Sequence, residues 1–193
     1  NYKPLFGFAS LVLASLLLVN TAQADGTEIL GPPSIDIAEG SGILIEGTGL
    51  NTNQPGDISI EIPAGLTVNQ VLLYWGGRTD SGSPLSGADD TIQVNGSPVT
   101  GPLIGGPTPI QNKIPSYTYR ADITASNWVV AGAVNVLTVD GLDFDYQNDG
   151  AAVVVIWDDG STTADLRIAD GNDFAYEPLG LQTEPVTFPV EAS

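Results

Sequence analysis

The sequence predicts an all-β fold, an antiparallel β-sandwich of jelly-roll type, with at most one short helix after an N-terminal signal segment. The chain has 193 residues, of which 23 are glycine and 14 are proline, a composition that favours short strands joined by turns. Several segments place apolar residues at every second position, which is the period of a half-buried strand. Roughly nine or ten such segments fit a sandwich better than a parallel α/β sheet.

The first 24 residues have the layout of a secretory signal peptide. Lys3 supplies the positive start, residues 5–19 are mostly apolar, and Ala22-Gln23-Ala24 before Asp25 forms a small-residue cleavage site. The alternative is a membrane anchor that is left uncut. We expect cleavage, a protein that is secreted or held at the cell surface, and no membrane insertion afterwards.

The remainder of the chain is strongly acidic. All 23 acidic residues but only four of the five basic ones follow residue 24, and the whole chain has a formal net charge of −18. A phosphate backbone needs a basic stripe, so nucleic acid is excluded as a partner, and anionic lipid headgroups are disfavoured. The acidity indicates solubility, a saline habitat or bound divalent cations.

Cysteine and histidine are absent. Their absence excludes disulfides, Ser-His-Asp and Cys-His nucleophile arrangements, and zinc sites built from thiolate or imidazole. We therefore expect no enzyme, and any chemistry would depend on carboxylates.

The first predicted strands are residues 34–38 and 42–46, paired around Glu39-Gly40-Ser41. The next is 57–62, where three isoleucines alternate with polar residues. Val71 to Trp75 is a denser apolar run that indicates a central strand covered on both sides.

A hairpin follows in the middle of the chain. Residues 91–94 and the segment from Val99 onward flank Asn95-Gly96, whose residues accept the positive φ angles of a type I′ turn. Residues 101–115 are rich in proline and glycine, which predicts a long loop over the surface.

Residues 117–123 are predicted to form a strand, followed by the one helical candidate across 125–130, capped by Asp122 or Thr124. Further strands are predicted at 134–139, 151–157 and 164–169. These elements define a single domain over residues 25–180.

The last thirteen residues, 181–193, read as the start of a further β segment. Residues 185–190 alternate like a strand. We expect the chain to be a piece of a longer protein.

Asp and Asn residues cluster at two loops that flank predicted strands. If strands 151–157 and 164–169 form a hairpin, these loops lie at the same end of the sheet. Calcium takes six to eight oxygen ligands, which such loops supply, whereas the alternative is that these residues are turn formers in solvated loops. The candidate calcium ligands are Asp145, Asn148, Asp149, Asp170, Asn172 and Asp173.

Aromatic side chains suggest a second kind of site. Most of them end apolar strands and are expected in the core. Tyr146 and Tyr176 lie in acidic loops instead and are the candidates for contact with a sugar ring or another surface ligand.

Paired carboxylates also admit glycoside hydrolysis, which needs an acid and a base or nucleophile held across a cleft. Glu46 and Glu61, with Asp89 or Asp90, are candidates. Acidic residues are so frequent here that finding a pair carries little information.

Several blocks resemble a known group of proteins. They are Val71 to Gly76, Asp89 to Gly96, and Asn148 to Gly160 continuing through Arg167 and Asp170-Gly171. Over about residues 70–175 the chain resembles bacterial secreted and cell-surface domains of unknown function, which are adhesin-like and often precede a surface anchor or sorting segment. The resemblance implies a β-sandwich and transfers no catalytic residues.

The sequence therefore predicts a non-enzymatic domain of the cell surface or extracellular matrix, with a structural or adhesive role and calcium as an optional stabiliser. A carbohydrate-binding module is the first alternative and a carboxylate-based glycoside hydrolase the second. Expected partners are cell-surface, matrix or glycan ligands.

Overall fold

The computed structural model describes residues 29–80, 89–110, 114–173, 175, 183 and 185–188. The predicted signal peptide, Tyr176 and much of the 181–193 segment lie outside these residues. In the described part of the chain, none of the helices combines the length and apolarity that a bilayer crossing requires.

Two antiparallel sheets pack against each other, which confirms the predicted all-β sandwich. The larger sheet has the order β1-β9-β3-β7-β6, formed by β1 (Gly42–Gly49), β9 (Gln147–Asp158), β3 (Thr67–Arg78), β7 (Ile114–Asp122) and β6 (Leu103–Ile110). The smaller sheet has the order β2-β8-β4-β5, formed by β2 (Gly56–Ile62), β8 (Ala133–Asp140), β4 (Thr91–Val94) and β5 (Ser97–Thr100).

The chain crosses between the two sheets at every connection except the hairpins β4–β5 and β6–β7. Such alternation is compatible with the jelly-roll type, which stays a prediction. Strand β1 pairs with β9 along its whole length, from Gly42 opposite Trp157 to Gly49 opposite Gly150.

The core lies between the sheets, and the alternation seen in the sequence places it there. Ile58, Ile60 and Ile62 of β2 are buried, and they face Val71, Leu73 and Trp75 of β3 within one apolar cluster. The Trp75 ring stacks on Tyr119 of β7 at a centroid distance of 5.7 Å, so the larger aromatic rings fill the sandwich as predicted.

Two extended segments form a partial third layer on the outer face of the five-stranded sheet. We name residues 29–41 the N-terminal strap and residues 159–173 the C-terminal strap. The straps are joined where Gly31 and Asp170 exchange two backbone hydrogen bonds of 2.8 and 2.7 Å. Leu72 and Ile156 are fully buried although they do not belong to the core cluster between the sheets, because the straps cover this outer face.

A buried glutamine fastens the N-terminal strap to the sheet. The side chain of Gln70 on β3 accepts a hydrogen bond from the Ala38 N–H and donates to the Asp36 carbonyl. It also donates to Asp122 on β7. A single amide side chain thus satisfies two strap backbone groups that burial would otherwise leave unpaired.

Several predicted elements differ from the structure. Residues 34–38 and 164–169 are not strands but belong to the straps, so the predicted 151–157/164–169 hairpin is absent and β9 pairs with β1 and β3 instead. The predicted loop 101–115 contains β6 and the start of β7, and the helical candidate is a single 3₁₀ turn at Thr124–Ser126. No strand is assigned to the described residues 185–188.

Candidate functional site

The outer face of the five-stranded sheet, with its two straps, is the most distinctive surface of the molecule, and we call it the strap face. Arg78 and Arg120 project onto it from β3 and β7, and Arg167 reaches it from the C-terminal strap. These are all the Lys and Arg residues in the described part of the chain. The net charge of the chain is −18, and in the part that the structure describes the arginines are gathered on one side.

Each of these arginines has an aspartate partner. Arg78 Nη2 lies 2.8 Å from Asp149 Oδ1, and Arg167 Nε lies 2.6 Å from Asp165 Oδ1. The third pair, Arg120 with Asp170, is almost fully buried. Each arginine of the strap face is therefore matched by an adjacent carboxylate, and the straps carry further acidic residues such as Asp36 and Glu39.

Tyr74 on β3 stands at the centre of this face and lines three adjoining clefts. The first cleft, about 470 Å³, lies against the C-terminal strap and is lined also by Thr118, Asp170 and Asn172. The second, about 350 Å³, opens toward Asp149. The third cleft, of about 370 Å³, is apolar and runs toward β1.

Hydrogen bonds fix the polar wall of the first cleft. Thr118 Oγ1 donates to Asn172 Oδ1 at 3.0 Å, and Thr108 Oγ1 donates to the Asn172 carbonyl at 2.8 Å. The Tyr74 hydroxyl donates to Asp170 Oδ1 at 3.3 Å. Asn172 Nδ2, by contrast, is a buried donor that finds no hydrogen-bond partner among the described residues, which is costly unless a bound group supplies an acceptor.

The tyrosine at the centre is a neutral phenol. Burial raises the pKa of Tyr74 above its ordinary value, and the positive charge of Arg120 offsets part of this rise. The phenol therefore offers an uncharged aromatic ring with a hydroxyl group, which suits a ligand with both apolar and polar surfaces.

Small residues form the floor of the second cleft. Gly76 of β3 and Gly150 and Ala152 of β9 leave space beside the Tyr74 ring. Gly150 cannot be replaced easily, because its φ is +158° and a Cβ there would lie 2.4 Å from the Thr48 carbonyl oxygen. The close packing of the β1 and β9 backbones thus requires a glycine at this point of the floor.

The structure places the predicted calcium ligands around the start of β9 and at the end of the C-terminal strap, and four of them line clefts around Tyr74, namely Asp149, Asp170, Asn172 and Asp173. Asp149 pairs with Arg78, Asp170 pairs with Arg120, and Asn148 Oδ1 accepts a hydrogen bond from the Phe144 N–H. Asn172 Oδ1 is likewise engaged, Asp145 is exposed, and Asp173 lines the first cleft. In the part of the chain that the structure describes, no three acidic groups come together in a way that would hold a metal ion, so the calcium site stays a prediction.

The predicted aromatic contacts have separate outcomes. Tyr146 is half exposed, as expected for a surface contact, but it does not line any of the three clefts around Tyr74. Tyr176 lies outside the described residues.

The candidate glycosidase carboxylates do not line these clefts either. Glu46 lies on β1 in the five-stranded sheet, whereas Glu61 lies on β2 in the other sheet and is exposed. Asp89 is buried, and its carbonyl oxygen accepts a hydrogen bond from the Trp75 indole N–H.

Sequence reasoning missed the central residues of this face. Tyr74 belongs to the dense apolar run and is therefore predicted with the core aromatics. Strand alternation, however, places its side chain on the other face of the sheet from Leu73 and Trp75. The clustering of arginines carried no sequence signal, because the three residues come from distant parts of the chain.

Comparisons with known proteins add nothing to this geometry. No protein-family model matches the chain, and neither a curated protein nor a solved structure shows significant similarity to it.

Proposed function

We propose that this chain is an exported, non-enzymatic domain of the cell surface or extracellular matrix that serves adhesion. The observation that carries the proposal is the double hydrogen bond between Gly31 and Asp170. It holds the segments before and after the sandwich side by side on one face of the five-stranded sheet.

This arrangement suits a head that projects from a larger structure. Both straps lie on the same sheet face and are held by Gln70 and Arg120. A mature chain that begins at Asp25 would then be tethered only through the segment after the C-terminal strap, as a terminal head is.

The chemistry of the chain supports a binding role. With neither histidine nor cysteine in the sequence, nucleophilic catalysis of the common kinds lacks its base or its nucleophile. The carbohydrate-binding module remains the second candidate, and the clefts around the Tyr74 ring favour it.

Attachment of protein-coated beads tests the adhesive role. Beads that carry the purified chain are expected to attach to cell layers or to matrix-coated surfaces, and beads that carry heat-denatured protein are expected not to attach. Equal attachment of both would contradict adhesion, and turnover of a polysaccharide that one Asp or Glu substitution abolishes would contradict the non-enzymatic role.

A further inference from the structure

We infer that the strap face carries a binding groove for a short, uncharged oligosaccharide, with Tyr74 as its stacking platform. The groove is formed by the three clefts that share this residue. The inference rests on the proposed adhesive function and names the ligand class and the site.

The extent of the groove indicates more than one sugar ring. Its lining residues come from β6, β7, β3, β9 and β1, which are five neighbouring strands, and from the C-terminal strap. With a strand spacing of about 4.8 Å, the groove spans about 19 Å across the sheet. Each cleft taken alone lies near the lower end of the volume range of small-ligand pockets, about 300–1,000 Å³.

The lining of the groove matches the two surfaces of a sugar. Val154, Ala152 and the Tyr74 ring offer apolar surface for the C–H face of a pyranose. Thr118 and Asn172 at one side, and Asp149 at the other, offer polar groups to hydroxyls. A hydroxyl both donates and accepts, so it can satisfy the orphaned Asn172 Nδ2 as well as a carboxylate oxygen.

The ion pairs of the strap face favour an uncharged ligand. The arginines of the strap face are all occupied by aspartates, so an anionic group would find no free cation. The carboxylates of Asp149 and Asp170 are occupied in turn, which weakens attraction for a cationic peptide. At long range the net charge of −18 repels polyanions and attracts cationic peptides, so the peptide library is the direct test of this alternative.

Three substitutions test whether ligand binding depends on the groove or on another part of the molecule. Tyr74→Ala removes the platform, and Ala152→Leu fills the floor that two of the clefts share. Ser59→Leu is the matched control, because Ser59 is exposed on the smaller sheet.

The experiment titrates the full chain with neutral cello-, xylo-, malto- and manno-oligosaccharides, with hyaluronan and heparin fragments, and with a library of extended peptides. We expect at least one neutral series to bind. Affinity should fall about tenfold or more in Tyr74→Ala, which loses the stacking ring, and in Ala152→Leu, whose larger side chain occupies the floor of two clefts. Ser59→Leu should bind within about twofold of the unmodified chain, and unchanged urea midpoints would show that the variants are folded.

Two results would contradict the proposal of a sugar-binding groove. One is preferential binding of peptides or anionic fragments, and the other is neutral-sugar binding that survives both Tyr74→Ala and Ala152→Leu. Bead attachment that persists in Tyr74→Ala and is not competed by any neutral sugar would overturn the groove while leaving adhesion intact. Sugar binding at the groove without any bead attachment would overturn adhesion alone.

Discussion

The Arg120 guanidinium on β7 and the Asp170 carboxylate of the C-terminal strap form an ion pair that is almost wholly withdrawn from water, with side chains only 1% and 7% exposed. Arg120 also donates to Ser34 Oγ of the N-terminal strap at 3.2 Å. One guanidinium therefore ties both straps to the sheet.

Removing one partner of this pair should destabilise the domain strongly. Asp170→Asn leaves a buried guanidinium without its countercharge, and we expect a loss of about 3–5 kcal/mol in the free energy of unfolding. Urea denaturation at neutral pH measures this loss. The matched control is Asp165→Asn, whose partner Arg167 is exposed, and it should cost about 1 kcal/mol or less. Equal effects of the two substitutions would show that burial of the Arg120 pair does not govern its contribution.

Tyr119 should make the folded domain less stable at alkaline pH. Burial in the core, helped by the negative charges of Asp89 and Asp90 and by Tyr117, raises the pKa of its phenol from 10.0 to about 12. The folded state therefore keeps the proton that the unfolded chain releases above pH 10. Stability is fully present below pH 10 and should be lost as pH rises toward 12.

The measurement is urea denaturation at pH 9 and again between pH 11 and 12, together with the absorbance of tyrosinate. In Tyr119→Phe this part of the alkaline loss should disappear. The control is Tyr146→Phe, since Tyr146 is half exposed on a loop, and it should retain the full loss. An identical alkaline loss in Tyr119→Phe and the unmodified chain would exclude Tyr119 as its source.

Local patterns predicted the elements whose structure is decided locally. Asn95 and Gly96 adopt φ angles of 51° and 74° at the β4–β5 hairpin, as a type I′ turn requires. The dense run Val71 to Trp75 lies in a strand with neighbours on both sides. In these cases turn chemistry and side-chain burial point to the same answer.

Other segments depend on partners that a sequence does not display. Residues 164–169 alternate like a strand because one side faces the sheet, yet the backbone N–H of Ala164 donates to Gly40 of the N-terminal strap rather than to a strand of the sheet. Residues 103–110 looked like a loop because of Pro107 and Pro109, but prolines are tolerated in β6 because it is an edge strand. The groove around Tyr74 depends on both misassigned segments, so its assembly could not be read from local patterns.

Gly101 should tolerate no side chain. A Cβ at this position would lie 2.3 Å from the Arg120 carbonyl oxygen and 2.5 Å from the Trp75 ring. Because the first of these atoms belongs to the backbone of β7, the strand itself would have to shift. We expect Gly101→Ala to cost about 1–3 kcal/mol, or more if the strand cannot move.

Gly31→Ala is the control for this substitution, since a Cβ at Gly31 meets nothing within 4 Å. Thermal unfolding of the two variants should show a clear fall in Tm for Gly101→Ala and little change for Gly31→Ala. A lowered Tm for Gly31→Ala alone would mean that the junction between the straps is tighter than the structure shows.

Calcium should leave the stability of the domain unchanged. Two of the carboxylates that the sequence offers as ligands, Asp149 and Asp170, are held by arginines, and a cation would have to displace those partners and then collect several further oxygens. A ligand present at one hundred times its dissociation constant adds about 2.7 kcal/mol to stability, which calorimetry resolves easily. We expect the same Tm in millimolar calcium and in EDTA. A rise in calcium that Asp149→Asn removes, and that Asp57→Asn on the opposite sheet does not, would establish the metal site that the loop composition suggested and would show that the Arg78 pair opens to admit it.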